Sequence, residues 1–512
     1  MDIKRLRIHV AAALMLAVLS SARAETTISA PGADELVLGI PRVTEPHTHD
    51  LDGILDRGVL RVLTTYSPSN FFIIDGRPQG FEYQLLRDFA RILEQRMEDR
   101  TIPFIVQFIP LLPEELIPAL LQGRGDIVAN DMHIEGMEDK EAVFSAPYLG
   151  GIKACLVSHR SVEPLTSMRD LPGRKVIVAD HHGYRKEVSR LNHDLAMQGL
   201  AHMRIEVADP GLTVEDILEL VNAGVYGLTV VDSHLAQLWA RAFPDLRVHE
   251  DLALGNSREV GWLVRSGNPE LKRSLDAFIS DHKKGTKIGN IYFRKYFQKE
   301  LCLQGCLTLE HQSRFAGFRD LFQKYGAKFG LDWLLLAAQA FQESGLRQDR
   351  VSEDGAVGLM QVMPTLTRDR RIGRFDLQDV EQNVHAGSKY MKHLLDIYFN
   401  GEDLEDEERM RLALAAYNAG PSAIHRARLK AADMGLDANR WFGHVERGAR
   451  LTLGLEPVDY VSRINRLYIA YRLSSQSLAR RVRIKERIIS RLTGTATPGS
   501  RVSSQRVLAS DQ

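Results

Sequence analysis

Cysteine is nearly missing: three in 512 residues, far from the dense, usually even set that staples a small exported domain. Prolines are few, 19 in all, and with 44% hydrophobic and 26% charged residues the chain is neither collagen-like nor a disordered polymer. Neither sign of charge prevails, Lys+Arg 66 standing against Asp+Glu 66. No whole-chain positive field therefore points to nucleic acid, and any charge-driven contact has to come from a local patch. The apolar run from Val10 to Leu19 is about half of the twenty residues a membrane span needs.

What is there begins with that run. Lys4, Arg5 and Arg7 precede it and Ala22-Arg23-Ala24 follows, the pattern of a secretory signal cleaved after a small residue. Residues 1–24 are expected to leave a mature chain that is exported to the periplasm, stays near neutral and, with no cysteine near the cleavage site, is not lipid-anchored there. Cys302 and Cys306 are close enough to pair in an oxidising compartment, and Cys155 reads as a buried small hydrophobe. Neither the cysteines nor the His47, His49, Asp50 group has ligands at metal spacing. The latter is expected to be solvated linker within residues 25–54, and no metal or cofactor is expected.

From residue 55 to 297, short β-branched runs alternate with helical ones. LRVLTTY, EYQLLRDFARILEQRM, TIPFIVQFI, a helix ending at LLQGRGD and then IVAND form a first set; GRKVIVAD, VEDILELVNAG, GLTVVDS and HLAQLWARAF form a second. The alternation predicts a mostly parallel sheet with crossover helices, in two α/β lobes with a ligand cleft between them. Residues 298–314 read as a linker, and 315–475 are rich in helix formers, predicting an all-α domain. Within it WLLLAAQAFQES is apolar nearly all round, with Asp332 placed to cap its start and Gly345 to end it. Glu343 thus sits at the end of an interior helix, where loss of water should raise its pKa. Residues 478–492, LARRVRIKERIISRL, predict a basic amphipathic helix with Leu478, Val482, Ile489 and Leu492 on one stripe, suited to packing on the helical domain or to peripheral contact with an anionic membrane. A polar tail from Gly494 is expected to be disordered.

Residues 55–297 resemble the type 3 family of periplasmic solute-binding proteins through GVLRVLTT, GFEYQLLRDFA, LLQGRGDIVAND, FSAPY, DLPGRKVIV, VDS around Asp232 and GTKIGNIYFRKYF. Members that clamp an amino-acid carboxylate carry Thr and Arg after the segment that here reads GDIVAN. This sequence has Glu135 and Glu138 there, so the resemblance implies an amine-bearing or neutral ligand, a muropeptide among the candidates, or a cleft that binds nothing.

Four blocks downstream, Glu343-Ser344, Ser352 to Pro364 (SEDGAVGLMQVMP), Asn383 to Tyr390 (NVHAGSKY) and Ala415 to Pro421 (AAYNAGP), resemble the lysozyme-like domain of soluble lytic transglycosylases. Joined to the upstream lobes, the architecture resembles the membrane-bound lytic transglycosylase F family. The fold implied is a two-lobed α/β periplasmic-binding-protein-like domain followed by an all-α lysozyme-like domain. The activity implied is non-hydrolytic cleavage of the β-1,4 bond between N-acetylmuramic acid and N-acetylglucosamine in peptidoglycan, ending in 1,6-anhydromuramic acid. Glycosidic cleavage needs an acid at the leaving oxygen, and Glu343 is the candidate. A second carboxylate would come from Glu353 or Asp354, which read as solvated loop charges. Without one, the family resemblance implies that Glu343 returns as the base when the sugar's C6 hydroxyl closes the ring. Ser344, Met360, Gln361, Tyr417, Asn418 and Tyr460 are the candidate substrate-binding residues; Ala386 and Gly387 with Tyr390 read as close helix packing. A lysozyme-type hydrolase and a non-catalytic glycan-binding or sensing protein are the alternatives, and peripheral association with the outer membrane is a further expectation.

Overall fold

The computed structural model describes residues 45–74, 76–97, 104–134, 140–180, 183–298, 313–401 and 403–493. The signal segment, Glu135 and Glu138, Cys302 and Cys306, and the polar tail lie outside the described residues.

The chain enters through α1 (Leu51–Arg57), β1 (Val59–Thr65), the hairpin of β2 (Phe72–Ile74) and β3 (Arg77–Gln79), and α2 (Phe81–Arg96). It continues through β4 (Ile105–Leu111), α3 (Leu116–Leu121), β5 (Ile127–His133), β6 (Ala142–Phe144) and β7 (Leu149–His159). The second lobe holds β8 (Lys175–Val178), α4 (Tyr184–Met197), β9 (Arg204–Val207), α5 (Val214–Asn222), β10 (Leu228–Asp232) and α6 (Ser233–Ala240). The return strand β11 (Leu246–Arg265), α7 (Pro269–His282) and α8 (Lys287–Phe293) close the domain. Cys155 is buried in β7 as expected, its thiol donating to the Val231 carbonyl at 3.4 Å.

One correction concerns the sheet. Nine of the eleven described strands form one mixed sheet with the path β4-β1-β5-β11-β7-β10-β8-β9 and β6 on β11, and β2 and β3 pair apart from it. The two ends are parallel, as the alternating pattern predicts, but β7 and β11 run antiparallel to each other through the middle. The chain must pass between lobes twice, and those two long strands are the passages. A second correction concerns the expected linker: residues from 45 onward already belong to this domain. Asp50 caps α1 and also accepts the Glu270 and Leu271 amides, both at 2.9 Å, while the Arg61 guanidinium holds the His47 carbonyl at 3.0 Å.

The helical domain holds α9 (Ser313–Phe329), α10 (Trp333–Ser344), α11 (Val380–Ile397), α12 (Asp406–Ala419), α13 (Pro421–Asp433), α14 (Glu446–Leu453) and α15 (Glu456–Thr493). α10 forms because Leu334, Leu335, Leu336, Ala337, Ala338 and Ala340 bury on all sides, each leucine contributing roughly 1.5–3 kcal/mol. Asp332 accepts the Leu334 amide at 2.8 Å, and Gly345 ends the helix at φ 66°, a left-handed conformation glycine adopts without Cβ strain.

The basic helix expected as a separate segment is the last part of α15, 38 residues long. It packs on the α/β domain rather than on its own. Arg481 pairs with Asp216 at 2.6 Å and donates to Thr213 at 3.1 Å in the second lobe, and to the Tyr66 carbonyl in the first. Lys485 reaches Asp216 and Glu219, and Arg480 reaches Glu115. The buried apolar side is Ile484 and Ile489, whereas Leu492 of the expected stripe is exposed. Farther up, Tyr471 donates to the Gly76 carbonyl at the tip of the β2–β3 hairpin at 3.0 Å, and Gly76 lies against Phe341 of α10. Among the described residues no helix is long and apolar enough to cross a membrane.

Candidate active site

Helix α10 delivers Glu343 in its last turn, and α15 delivers Tyr460 opposite it. The Tyr460 hydroxyl donates to Glu343 Oε1 at 2.5 Å, and Gln339 Nε2 reaches the same hydroxyl at 3.4 Å. Glu343 is half-buried and Tyr460 is buried. Burial pushes the Glu343 carboxyl up to about 7, against the opposing pull of the Tyr460 hydrogen bond and the Arg350 charge; Glu456 adds a small push upward. A carboxyl that still holds its proton near neutral pH is suited to general-acid work.

The 350–362 loop supplies the next wall. It is folded by two isolated bridges, Val351 with Val357 and Val357 with Val362, and fastened by Asn383. That buried amide accepts the Met360 N–H at 2.8 Å and donates to the Val357 and Leu377 carbonyls. Gly358 has φ 79°, and a Cβ there would lie 2.3 Å from Asn383 Nδ2, so the amide's seat exists only under glycine. Gly387 of α11 faces Met360 closely enough that a Cβ would come within 2.6 Å of the Met360 Cβ and 3.0 Å of the Tyr417 hydroxyl, in line with the close packing read from the sequence.

The structure brings Glu343, Tyr460 and Tyr417 together, while Met360, a candidate for the sugar, is fully buried in the core behind them, because an apolar side chain under Gly387 packs inward. The Tyr417 hydroxyl donates to the Met360 carbonyl at 2.9 Å, and its ring lies 5.2 Å from that of Tyr390. Burial holds the Tyr417 and Tyr460 phenols well above their usual range, and the Glu343 charge adds to both. Asn418 follows Tyr417 at the helix end, half-buried. Two candidates turn their polar groups into the protein. Ser344 Oγ donates to the Leu359 carbonyl at 2.8 Å and the Ala340 carbonyl at 3.1 Å, and accepts the Arg347 amide. Gln361, at φ 45°, gives its Nε2 to the Gly358 and Arg350 carbonyls. Both side chains fasten the loop. Glu353 and Asp354 are exposed, as expected of solvated charges.

Sequence reasoning missed Gln339 and Glu456, and named Asn383 only as the start of a block, without its fastening role. Of the two amides in the helix, Gln339 and Gln342, Gln339 lies four residues before Glu343 and so on its face; that was its available signal. Glu456, exposed one turn before Tyr460, is a carboxylate whose charge Glu343 feels.

The described part of the interlobe cleft is lined by Thr65, Ser67, Asn70, Asn130, Asp131 and Glu215, among others, with no lysine or arginine in the lining. It is drawn shut across the lobes. Ser67 and Ser69 donate to Glu215 at 2.9 and 2.5 Å, His133 meets Asp232 at 2.5 Å, and His234 meets Asp131 at 3.4 Å. The room left is little more than one water molecule.

Comparison with known proteins divides the chain the same way. Residues 59–299 match the family model of bacterial extracellular solute-binding proteins, family 3, and residues 320–438 match that of the transglycosylase SLT domain. A protein of Desulfosudis oleivorans named membrane-bound lytic murein transglycosylase F is 30% identical over 76% of this chain and 81% of its own. One of the same name from Stutzerimonas stutzeri is 28% identical over 82% of this chain and 86% of its own. Among solved structures, an ancestral arginine-binding protein bound to arginine covers 47% of this chain and 98% of its own, at 23% identity and a TM-score of 0.38.

Proposed function

From the premise that this chain belongs to the membrane-bound lytic murein transglycosylase F family, we propose that Glu343 is the single acid and base of its glycan cleavage. The protein is a peptidoglycan lytic transglycosylase, and the residue roles are our reading. The observation that carries them is the Glu343–Tyr460 pair: a half-buried carboxyl, protonated up to about pH 7, oriented by a 2.5 Å hydrogen bond.

Protonated Glu343 gives its proton to the glycosidic oxygen between N-acetylmuramic acid and N-acetylglucosamine as that bond breaks and positive character grows at the anomeric carbon. The carboxylate left behind is held by the Tyr460 hydroxyl, a hydrogen bond that favours the ionised form. It then takes the proton of the muramic acid C6 hydroxyl while that oxygen bonds to the anomeric carbon, closing the 1,6-anhydro ring. The acid is restored and no water is consumed. The nearby carboxylates, Glu353, Asp354 and Glu456, are all exposed, which favours this route over a second protein carboxylate acting as nucleophile. Tyr417 and Asn418, both half-buried, are assigned to the sugar, and Met360, fully buried, to backing the site, its carbonyl accepting the Tyr417 hydroxyl. Ser344 and Gln361 are assigned to holding the loop.

The described lining of the cleft, which carries Asp131 and Glu215 and no lysine or arginine, with the neighbouring Arg258 already paired to Asp232, favours an amine-bearing or neutral ligand, such as a muropeptide presenting its amine, over an amino-acid carboxylate. We further read the protein as periplasmic and peripherally attached to a membrane, on the strength of the expected export signal and relatives named membrane-bound. The test of the central reading is digestion of purified sacculi by the wild type and by Glu343→Gln, with products identified by mass spectrometry. The wild type should release anhydro-terminated muropeptides and the variant should release at least a hundredfold fewer; a variant that retains turnover rejects the assignment.

A further inference from the structure

The basic stretch of α15 is partly consumed by the α/β domain, with Arg481 and Lys485 buried against Asp216 and Glu219. A different surface carries exposed charge next to exposed apolar side chains. Between His282 and Gln298 the sequence holds Lys283, Lys284, Lys287, Arg294 and Lys295 and no acidic residue. Lys283, Lys287, Arg294 and Lys295 are exposed and Lys284 is half-buried. Lys284 and Lys295 lie over the rings of Phe293 and Tyr296, and Arg294 donates to the Asn290 carbonyl. Asp281, at the end of α7, is the nearest acid in sequence.

Among these cations α8 exposes Ile288 at 37% and Ile291 at 46%, three residues apart and so side by side on the helix. Beside them, between α6 and α8, runs an open groove of about 460 Å³ lined by Ser233, His234, Gln237, Lys284, Asn290 and Arg294, among others. The groove offers hydrogen-bond donors and positive charge, and among the described residues no carboxylate lines it.

We propose that this face, α8 with the turns flanking it over residues 283–295, is the surface by which the protein lies on an anionic phospholipid bilayer. Ile288 and Ile291 enter the interface, Lys283, Lys287 and Lys295 face the lipid charge, and Lys284 and Arg294 hold a headgroup phosphate at the groove. Basic side chains alone would equally suit any polyanion; the paired isoleucines are what a bilayer uses and a glycan strand does not. The proposal rests on the reading of peripheral attachment and is independent of the role given to Glu343.

The test is co-sedimentation of the full mature chain with phosphatidylcholine vesicles and with vesicles that also contain phosphatidylglycerol. Binding should require the anionic lipid and weaken with salt. Lys287→Gln and Arg294→Gln should each lower partitioning roughly fivefold, and Ile288→Ser combined with Ile291→Ser roughly tenfold, with melting temperature and sacculus digestion unchanged. Absence of vesicle binding would overturn both this surface and the peripheral reading. Binding that survives these changes but is lost in Arg483→Gln, Arg487→Gln and Arg491→Gln would leave the peripheral reading standing and overturn the surface. If the α8 variants instead lose affinity for sacculi while vesicle binding is unaffected, the face serves the cell wall and the proposal fails.

Discussion

Replacing Glu343 by glutamine should make the folded protein more stable in alkaline solution while abolishing its chemistry. The carboxyl titrates at about 7 in the fold against an ordinary 4.5. A raised folded value contributes stability below 4.5 that is lost as pH climbs through 7, because the unfolded chain gives up its proton first. At 1.4 kcal/mol per unit the loss would reach at most about 3.5 kcal/mol; the residue is only half-buried, and solvent screening reduces this to about 1–2 kcal/mol. Glutamine keeps the shape and can accept from the Tyr460 hydroxyl without ever ionising. Urea denaturation of wild type and variant at about pH 4.5 and about pH 8 reads the difference. The gap between the two proteins should grow by about 1–2 kcal/mol in the variant's favour at the higher pH. Parallel stabilities across that range would mean that Glu343 is not stripped of water, and the acid role would lose its physical basis.

Tyr460→Phe removes a donor that favours the ionised acid, so the alkaline limb of the pH–rate profile should move upward by about one unit, with kcat lowered; an unmoved limb would separate Tyr460 from the acid. Gly387→Ala places a methyl 2.6 Å from the Met360 Cβ and should cost about 1–3 kcal/mol in denaturation together with a fall in turnover. Arg481→Ala leaves Asp216 buried without its closest charge partner, and should destabilise the docking of α15 by about 3–5 kcal/mol, read as faster limited proteolysis beyond residue 475. Asp216, held well below the usual carboxylate range against the cost of burial by Arg481 and Lys485, contributes stability above its unfolded value that is lost as pH falls, so the docked end of α15 should loosen in acid.

The sequence announced the parts of the site that depend on neighbours in the chain. Asp332 and Gly345 are local signals and bound α10 where expected; the apolar faces around Glu343 follow from helical spacing alone. Orientation was different. Whether Ser344 and Gln361 point at a sugar or at the loop depends on the carbonyls of Leu359, Gly358 and Arg350, which only the folded loop positions. The end of α15 was also hidden. Its run of serines and bases suggests a break near residue 475, yet Ser474 and Ser477 are buried within one continuous helix. The acids that pair with Arg481 and Lys485 come from residues 216 and 219, far back in the chain. The mixed sheet escaped the alternating pattern for a similar reason: a strand's run of β-branched residues does not record the direction of its neighbour.

The claim that one carboxyl does the work of two stands most directly on the fate of solvent oxygen. Sacculi digested in water enriched in heavy oxygen, with the released muropeptides analysed by mass spectrometry, should yield anhydromuramic termini carrying no label. Reducing termini carrying the solvent's oxygen would show that water is the nucleophile and contradict the account.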